Sequence, residues 1–546
     1  MPVITFKKKY LYSLLGSGID DKKLNEQVIK MGFEVESLNE DEVLLEITPN
    51  RLDLIDAVGF ARSMKNFMHK SKKFSYSIDN PETAVEITVD SSVKKIRPYI
   101  SGLAAFGVKL TEDSMLNLIN FSEKFCETYG RGRKKIAIGM HNLDKMKTQL
   151  VYKCDRDMDF VPLGETAPMK YSKVLESNDK GKKYSNLITN GKSCYYPSLS
   201  DSEGAIAFIP ILNSERTKLT EDTRNMFVDI TGTSEYAVNK VADLLAATFF
   251  DMGADVRRVK IKYPNKTIDL PELEKRYINI NLAKAETQIG VDIGFNNVIS
   301  LANKMGYEAA LIGNIIRFRV PEYRLDVIGE QDVIEDIAIG YGYDYINPLS
   351  MFYSQQGGVE GQTILNRRAA EAMIGMGFSE TASSYLTNEE YNFDKARLRR
   401  DRSAITMKNP KTETVTIMRT WILPSLFKSL GMSAHESMPQ RIFEVDMAFS
   451  VKEGMPAESY RIGAVSIDPK SNFNEAKSYV EGFLDAIGIE HSISSYEHKS
   501  FIDGRCAEIR VNGKHIGFFG EIHPEVLKNF GIEEPGIAFE MDLSFK

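Results

Sequence analysis

The chain has 546 residues, of which 42% are hydrophobic and 27% are charged, and its formal net charge is −7. This length exceeds what one hydrophobic core supports, so several domains are expected. No run of about 18 apolar residues is present and the first residues lack the apolar core of a secretion signal, so neither a membrane span nor secretion is expected. The four cysteines, Cys126, Cys154, Cys194 and Cys506, have no C-x-x-C spacing. They indicate neither a zinc site nor a disulfide framework, and a reducing, cytoplasmic setting is expected.

The charge distribution bears on nucleic-acid binding. A net negative charge argues against a polycation that binds nucleic acid through its overall field, but phosphate contacts need only local clusters of Lys and Arg. Four such clusters occur, at Lys7–Lys9, Lys70–Lys73, Arg131–Lys135 and Arg397–Arg402. For any single cluster a solvated surface run is the favoured interpretation, so the clusters are compatible with a docked nucleic acid without requiring one.

A unit near the N-terminus recurs later in the chain. Residues 29–56 and 303–336 both contain Lys-Met-Gly, an aromatic residue and Glu, then a strand-like stretch, then Pro and Arg-Leu-Asp. The glycine suits the end of a helix, and the alternation in Glu42–Ile47 and Ile315–Val320 is typical of paired strands. Each copy is therefore predicted to form a helix, a hairpin, a Pro turn and a second helix. The alternative is that two unrelated units converged on one pattern.

The region between the copies, residues 90–262, is predicted to be α/β. Short strands are expected at Ile136–Met140, Ala205–Pro210 and Met226–Ile230, followed by a long amphipathic helix near Ser234–Met252. Small polar residues between apolar strands are typical of a pocket for a small polar substrate. The same residue types are favoured in surface turns and helix caps, and the sequence alone favours that interpretation. The segment His141–Asp144 is likewise more typical of a capping turn than of an acid–base pair.

The second copy contains an acidic segment that the first copy lacks. Asp332, Glu335 and Asp336 are spaced to share one face of a helix, and Asp326 precedes that helix in a turn. A bound cation would remove the repulsion among these carboxylates, and all-oxygen ligands select a hard cation such as Mg²⁺. The alternative is a helix N-terminus whose acids complement the helix dipole. Because the first copy is expected to fold without the three-acid face, the cluster is interpreted as a functional Mg²⁺ site.

The last part of the chain is predicted to be an α+β domain. The segment Tyr353–Gly358 is typical of a linker, and a helix is expected over Ile364–Met376. Strands follow, and Asn512-Gly513 between Cys506–Val511 and Lys514–Ile522 is a strong hairpin signal. An antiparallel sheet with flanking helices is therefore expected.

Taken in order, a set of segments resembles the beta subunit of phenylalanine–tRNA ligase in its archaeal and eukaryotic form. The segments are Ile47–Asp53, Ile138–Asp144, Pro210–Asn213 through Gly232, Arg324–Asp326 to Tyr341–Asp344, Arg419–Ser425, and Asp503–Arg505 to Gly520–Pro524. The likeness spans essentially the whole chain. It implies an α+β multidomain fold with duplicated helix–hairpin–helix units. The implied domains are a B1-like domain at 1–89, a B3/B4 editing-type α/β domain at 90–265, a B5 domain at 270–347 and an inactive class II synthetase-like domain at 348–546.

The resemblance also implies a function. In an α2β2 enzyme the alpha subunit would bind ATP and phenylalanine and join the amino acid to tRNA(Phe). This chain would contribute tRNA contacts and hydrolytic editing of tyrosyl-tRNA(Phe), which is useful because a phenylalanine pocket rejects an added hydroxyl only about 100-fold. The implied editing-pocket residues are Asn213, Ser214, Glu215, Thr223, Asp229 and Thr231, and the implied Mg²⁺ ligands are Asp326, Asp332, Glu335 and Asp336.

Two other hypotheses remain from the sequence. The chain can be a free-standing hydrolase of mischarged tRNA, or a nucleic-acid-binding regulator that docks through the duplicated units. The C-terminal domain lacks the F-R-x-E segment and the Gly-rich segment ending in Arg with which class II aminoacylation sites hold ATP. Arg441–Glu444 is the nearest approach and has the residues in the wrong order.

Overall fold

The structure is a computed structural model that describes residues 3–69, 75–80, 82–190, 193–350, 356–412 and 414–544. The chain forms two compact units, Met1–Ser350 and Met351–Lys546. None of the helices in the described ranges combines the length and the apolar character that crossing a membrane requires. The predicted division into four domains is finer than these two units and stays a prediction. The basic cluster Lys70–Lys73 lies outside the described residues.

The first unit begins with a small antiparallel sheet and three helices. Its elements are β1 (Val3–Lys7), α1 (Lys8–Leu15), α2 (Asp21–Lys30), β2 (Glu34–Leu38), β3 (Glu42–Glu46) and α3 (Ala57–Phe67), and the strand order is β1-β3-β2. Gly32, which follows α2, has a φ of 87°, a conformation that favours glycine. Asp56 caps α3 by accepting hydrogen bonds from the backbone N–H groups of Val58 and Gly59.

The centre of the first unit is a ten-stranded sheet covered by helices. Its elements are β4 (Thr83–Val89), β5 (Tyr99–Phe106), α4 (Glu112–Glu127), β6 (Ile136–Asn142), β7 (Gln149–Asp155), β8 (Asp159–Phe160), β9 (Met169–Lys170), α5 (Tyr171–Ser177), α6 (Asp179–Tyr184), β10 (Thr189–Asn190), β11 (Ser193–Cys194), β12 (Tyr196–Asp201), β13 (Gly204–Phe208), β14 (Leu212–Asn213), β15 (Met226–Gly232), α7 (Glu235–Asp251), β16 (Asp255–Lys262) and β17 (Thr267–Leu270). The sheet order is β14-β13-β12-β7-β4-β16-β5-β15-β6, with β17 beside β16, while β8 pairs with β9 and β10 with β11 in two separate two-stranded sheets. The three strands and the long helix predicted for this region are confirmed within a few residues.

The second copy of the repeated unit follows the central sheet. Its elements are β18 (Arg276–Asn281), α8 (Leu282–Ile289), α9 (Phe295–Lys304), β19 (Glu308–Ile312), β20 (Ile315–Val320) and α10 (Glu330–Tyr341), with the strand order β18-β20-β19. The middle strand of each three-stranded sheet is therefore the second strand of the hairpin, in both copies. Gly306 after α9 has a φ of 92°, which matches Gly32 after α2.

Each copy contains the same buried ion pair after its Pro turn. Arg51 donates from Nε and Nη2 to the two carboxylate oxygens of Asp53, both at 2.9 Å. Arg324 donates from the same two nitrogens to Asp326, at 2.9 and 2.8 Å. This bidentate geometry fixes the direction in which the chain enters the following helix. The Arg-Leu-Asp sequence common to both copies is therefore a structural signature.

The copies differ at the residue that completes the ion pair. In the second copy, the Asp336 carboxylate on α10 lies 2.7 Å from Arg324 Nη2 and accepts a hydrogen bond from the Tyr307 hydroxyl. Ser63 is the equivalent residue of the first copy, because its spacing from Arg51 equals that of Asp336 from Arg324. The Ser63 hydroxyl contacts both Arg51 and Asp53. A neutral residue in one copy thus replaces a buried charge in the other.

One hydrophobic core contains residues of both copies and of α7. Arg62 on α3 joins these three parts of the first unit. Its guanidinium lies 3.8 Å from the ring centroid of Tyr323, a close cation–π contact, and Nη1 lies 2.8 Å from Asp251 at the end of α7. The two copies are therefore packed as one body, with the central sheet attached through α7.

The second unit is an antiparallel sheet with helices, as the sequence predicts. Its elements are α11 (Gly361–Gly375), β21 (Ser379–Glu380), β22 (Leu386–Thr387), β23 (Ile417–Met418), α12 (Leu423–Met432), β24 (Gln440–Lys452), β25 (Met455–Ile467), α13 (Phe473–Ile487), β26 (Ser492–Ser495), β27 (Phe501–Val511), β28 (Lys514–Ile522), α14 (Pro524–Phe530) and β29 (Gly536–Asp542). The main sheet has the order β21-β24-β25-β29-β28-β27-β26, and only β21 pairs in parallel. Asn512 and Gly513 both have positive φ, at 49° and 76°, which confirms the predicted tight hairpin. Of the predicted linker, Tyr353–Gln355 lies outside the described residues.

Removal of the Arg324 side chain should destabilise the first unit. In an Arg324→Met variant, Asp336 is left buried beside Tyr307 without its cation, so the free energy of unfolding should fall by about 3–5 kcal/mol. Arg317 on β20 is exposed, and Arg317→Met is the matched control, expected to change the free energy of unfolding by less than about 0.5 kcal/mol. Denaturant unfolding of the two variants measures the difference. Equal losses would contradict a structural role for the Arg324 pairs.

Candidate functional site

A cavity of about 330 Å³ lies in the first unit, between α4, β6, β15 and the segment 208–213. Its walls are mostly apolar, and a few polar side chains reach it. The apolar lining residues include Met115, Ile119, Ile138, Met140, Phe208 and Ile211, and the polar ones include Arg133, Asn213, Asp229 and Thr231. This combination of apolar walls and few polar groups is typical of a site for a small organic substrate.

Strand β15 positions two of the polar side chains. Every residue of β15 is buried, and the strand pairs with β5 on one side and β6 on the other. Asp229 and Thr231 are two residues apart, so they lie on the same face of the strand, and both line the cavity. Gly139 on β6 lies opposite Asp229, and a Cβ at this position would come within 2.0 Å of Asp229 Oδ2 and 3.2 Å of Asn213 Oδ1. Glycine at 139 therefore leaves the space that these two polar side chains occupy.

The Asp229 carboxylate is hydrogen-bonded to a buried histidine. Nε2 of His141 lies 3.0 Å from Asp229 Oδ2, and Nδ1 lies 2.8 Å from the Thr217 hydroxyl. All three side chains are buried. An ionised carboxylate only accepts, so a neutral His141 carries its proton on Nε2 and accepts from Thr217 at Nδ1. His141 thus occupies one oxygen of Asp229 and fixes the orientation of the carboxylate at the cavity.

Thr231 is held by a buried arginine. Arg97 donates from Nε to Thr231 Oγ1 at 2.9 Å and from Nη2 to the Thr231 carbonyl at 2.6 Å. Its Nη1 donates to the carbonyl of Arg133 at 2.8 Å. Burial lowers the pKa of Arg97 to about 10, so the guanidinium remains charged at neutral pH.

Two further basic side chains belong to the wall and mouth of the cavity. Arg133 donates from Nη1 to the carbonyls of Pro210 and Ile211, at 2.8 and 2.9 Å, and its guanidinium lies over the ring of Tyr184. Lys180 on α6 forms an ion pair with Glu123 on α4 at 2.7 Å. The hydrogen bond from Lys180 lowers the pKa of Glu123. The basic cluster Arg131–Lys135 therefore contributes to the cavity rather than forming only a solvated run.

The structure divides the six predicted pocket residues into two groups. Asn213, Asp229 and Thr231 line the cavity. The other three hold turns: Ser214 accepts from the Arg216 N–H, Glu215 accepts from the Gly164 N–H, and Thr223 accepts from the Thr220 N–H. For this second group, the turn and cap interpretation of the sequence fits the contacts.

Sequence reasoning missed two residues of the site, Arg97 and His141. The predicted capping turn at His141–Asp144 is present, since the Asn142 side chain accepts from the Asp144 N–H. The prediction nevertheless overlooked the contact between His141 and Asp229, which are neighbours only across paired strands. Alternation along β6 could have indicated that His141 is buried, but it could not have identified its partner.

Three of the four predicted metal ligands have other partners in the structure. Asp326 and Asp336 share Arg324, while Asp332 accepts from the N–H groups of Ile328 and Gly329 and so caps α10. Glu335 is exposed. In the part of the chain that the structure describes, no group of three or more His, Cys, Asp or Glu side chains could hold a metal ion. As arranged, the four acids do not fit a Mg²⁺ centre, because a guanidinium lies between two of the carboxylates.

One inference from the repeat is therefore wrong. The acids of the second copy were expected to be unnecessary for the fold, but Asp332 caps a helix and Asp336 is the buried partner of Arg324. The first copy folds without them because it has Asp56 as its helix cap and Ser63 beside its arginine. Of the predicted ligands on α10, namely Asp332, Glu335 and Asp336, only Glu335 has no partner of this kind among the described residues.

Comparison with known proteins agrees with this architecture. Residues 278–343 match the tRNA synthetase B5 domain, and residues 349–543 match the phenylalanyl tRNA synthetase beta chain CLM domain. The chain is 33% identical to the phenylalanine–tRNA ligase beta subunit of Methanosphaera stadtmanae over 100% of both chains. It is 34% identical to that of Archaeoglobus fulgidus, over 100% of this chain and 98% of the relative.

A solved structure is also similar to this chain. The crystal structure of an N-terminal fragment of the phenylalanyl-tRNA synthetase beta subunit from Pyrococcus horikoshii aligns with a TM-score of 0.60 and 30% identity. The alignment covers 63% of this chain and 100% of the fragment. With full-length relatives and two matched domains, the chain belongs to the phenylalanine–tRNA ligase beta subunit family, and hence to the aminoacyl-tRNA synthetases.

Proposed function

We propose that the chain acts as the beta subunit of a phenylalanine–tRNA ligase and requires an alpha subunit for ATP-dependent attachment of phenylalanine to tRNA(Phe). Its similarity to beta subunits over the full length supports this proposal. In the proposed α2β2 assembly, ATP and phenylalanine bind to the alpha subunit, and this chain contributes contacts to tRNA.

The second unit supports the division of labour between the subunits. Its antiparallel sheet with flanking helices fits an inactive class II synthetase-like domain. The segment closest to an ATP-holding motif, Arg441–Glu444, lies in β24, and Glu444 is buried in an ion pair with Arg419 at 2.6 Å. This carboxylate is therefore occupied within the fold and is not available to a nucleotide.

We further propose that the cavity of the first unit hydrolyses tyrosyl-tRNA(Phe). The observation that carries this proposal is the convergence of Asn213, Asp229 and Thr231 on one apolar cavity of about 330 Å³, which is at the small end of the range for ligand pockets. In the reaction, water adds to the ester carbonyl carbon and the bond to the ribose oxygen breaks. The ribose oxygen takes a proton, and free tyrosine and tRNA are released. Asn213 and Asp229 orient the substrate and water, and Thr231 donates a hydrogen bond.

The alternative functions explain less of the chain. A free-standing hydrolase of mischarged tRNA would use the cavity but would have no need of the second unit. A nucleic-acid-binding regulator would have no need of an apolar cavity with buried polar residues. The beta-subunit proposal accounts for both parts.

The proposed hydrolysis does not require Mg²⁺. Phenylalanine–tRNA ligases use Mg²⁺. Binding of Mg²⁺ by Asp326, Asp332, Glu335 and Asp336 is predicted from the sequence, but it would require Arg324 to release two of the four carboxylates, so it is not part of the proposal. No step of the proposed hydrolysis depends on it.

Co-expression with a candidate alpha subunit tests the assembly. We expect the purified complex to have the mass of two alpha and two beta chains in size-exclusion chromatography with light scattering. The mass of the chain alone is 61.5 kDa, so the two results are well separated. If the chain elutes at its own mass in the presence of the alpha subunit, the beta-subunit proposal fails.

Substitution of cavity residues tests editing. In the assembled enzyme, Asn213→Ala and Asp229→Ala should each lower the rate of tyrosyl-tRNA(Phe) deacylation, by up to about 100-fold, the typical effect of losing one hydrogen-bonding group that stabilises a transition state. Attachment of phenylalanine should be unchanged, because that site is on the alpha subunit. Asp222→Ala, at an exposed aspartate in the turn before β15, is the matched control. Unchanged deacylation in both cavity variants would remove these residues from the site.

Binding of Mn²⁺, used in place of Mg²⁺, tests the acidic cluster. We expect crystals of the natural enzyme soaked in Mn²⁺ to show no anomalous density at the four acids while Arg324 keeps its ion pairs. Arg324→Met frees Asp326 and Asp336, so density should appear in that variant. Density in the natural enzyme with Arg324 displaced would instead establish the predicted metal site.

A further inference from the structure

We propose that Arg97 is a positioning residue for the hydrolysis, because its guanidinium fixes the Thr231 hydroxyl as a hydrogen-bond donor directed into the cavity. The inference rests on the editing function proposed above. It concerns a buried residue that does not line the cavity and acts only through Thr231.

The polarity of the Thr231 hydroxyl follows from its hydrogen bonds. A threonine hydroxyl has one proton and can accept at its lone pairs. Arg97 Nε has only a proton to offer, so Thr231 Oγ1 is the acceptor in the 2.9 Å contact. A second hydrogen bond, from Arg97 Nη2 to the Thr231 carbonyl, fixes the position of the guanidinium relative to Thr231. Among the described residues, the hydroxyl proton of Thr231 has no acceptor, and the cavity is the space in which a substrate can provide one.

The charge of Arg97 strengthens this donor. All hydrogen bonds of its guanidinium in the described structure go to neutral oxygens, namely Thr231 Oγ1 and the carbonyls of Thr231, Arg133 and Lys134. A buried cation without a paired carboxylate is costly for a fold to keep. Its positive charge acts through a low-dielectric interior on the Thr231 hydroxyl that it contacts. A substrate atom that accepts a hydrogen bond from this hydroxyl is therefore favoured when it carries partial negative charge.

This polarity identifies the substrate atom. During addition of water to an ester, negative charge develops on the carbonyl oxygen, whereas the phenol oxygen of tyrosine stays neutral. The Thr231 donor is therefore assigned to the ester carbonyl oxygen, which becomes an oxyanion in the tetrahedral intermediate. Asp229, whose oxygen Oδ2 is held by His141, supplies an acceptor on the same face of β15. Donor and acceptor are thus set separately, one by Arg97 and the other by His141.

A purely structural role for Arg97 gives a different expectation. Arg97 also bonds the carbonyl of Arg133, whose side chain supports Pro210 and Ile211 at the cavity wall. If Arg97 served only to hold this wall, the effect of its substitution on the deacylation rate would add to the effect of removing the Thr231 hydroxyl. If it acts through Thr231, its effect on the chemical step disappears once that hydroxyl is gone.

A double-mutant cycle in the assembled enzyme separates these cases. Single-turnover deacylation of tyrosyl-tRNA(Phe) is measured for Thr231→Val, for Arg97→Lys and Arg97→Gln, and for the double variants. We expect Thr231→Val to lower the rate constant by about 100-fold and Arg97→Lys by about 10-fold with KM little changed. Each double variant should be no slower than Thr231→Val alone, and Thr231→Ser should keep most of the activity. Either Arg97 variant that assembles is sufficient for the cycle.

Tyr152→Phe is the matched control, since the Tyr152 hydroxyl donates to the backbone carbonyl of Arg97 at 2.8 Å and does not reach the cavity. It should leave the rate constant unchanged. Losses that multiply in the double variants, or Arg97 variants with natural rates, would overturn the inference. A natural enzyme that fails to deacylate tyrosyl-tRNA(Phe) would instead overturn the editing proposal, so the two failures are distinguishable.

Discussion

The candidate site depends on one constraint, which is that polar side chains on a strand buried on both faces need partners from the surrounding elements. Strand β15 is buried along its whole length between β5 and β6. Its two polar residues at the cavity, Asp229 and Thr231, are paired with His141 and Arg97. An unpaired buried polar group costs about 1–3 kcal/mol or more, so these partners are needed to keep the strand in place. The same contacts orient the groups that face the cavity, and stability and chemistry are therefore linked at this strand.

The repeated units satisfy the same constraint in two ways. Both place an arginine in the interior and neutralise it with the aspartate two residues later. The second copy adds Asp336 and Tyr307 around its arginine, whereas the first copy has Ser63. The inequality between the copies, which in the sequence indicates a metal site, is explained in the structure as a difference in how a buried guanidinium is satisfied. Glu335 remains the acid of α10 for which the fold provides no such explanation.

The first unit encloses a cavity, whereas charged residues on the sheet of the second unit are paired within the fold. The first unit keeps a cavity open by placing glycine at 139, where any side chain would meet Asp229. On the sheet of the second unit, Glu444 and Glu540 are buried in ion pairs with Arg419 and Arg461, and Glu540 also accepts from the first N–H groups of α12. The charged side chains at these positions therefore have their partners within the fold.

What the sequence determined by itself is local or depends on order along the chain. Periodicity predicted β20, the helix α7 and the Asn512-Gly513 hairpin, and the order of motifs identified the family, because hydrophobic alternation and turn chemistry are properties of neighbouring residues. Only the tertiary structure decided which polar residues act together. Asn213, Asp229 and Thr231 converge while Ser214, Glu215 and Thr223 form turns, although all six are polar. The partners of three residues, Arg97, His141 and Arg324, lie across strands or between a turn and a helix. Such contacts depend on strand register and packing, which residue spacing in one sequence does not encode.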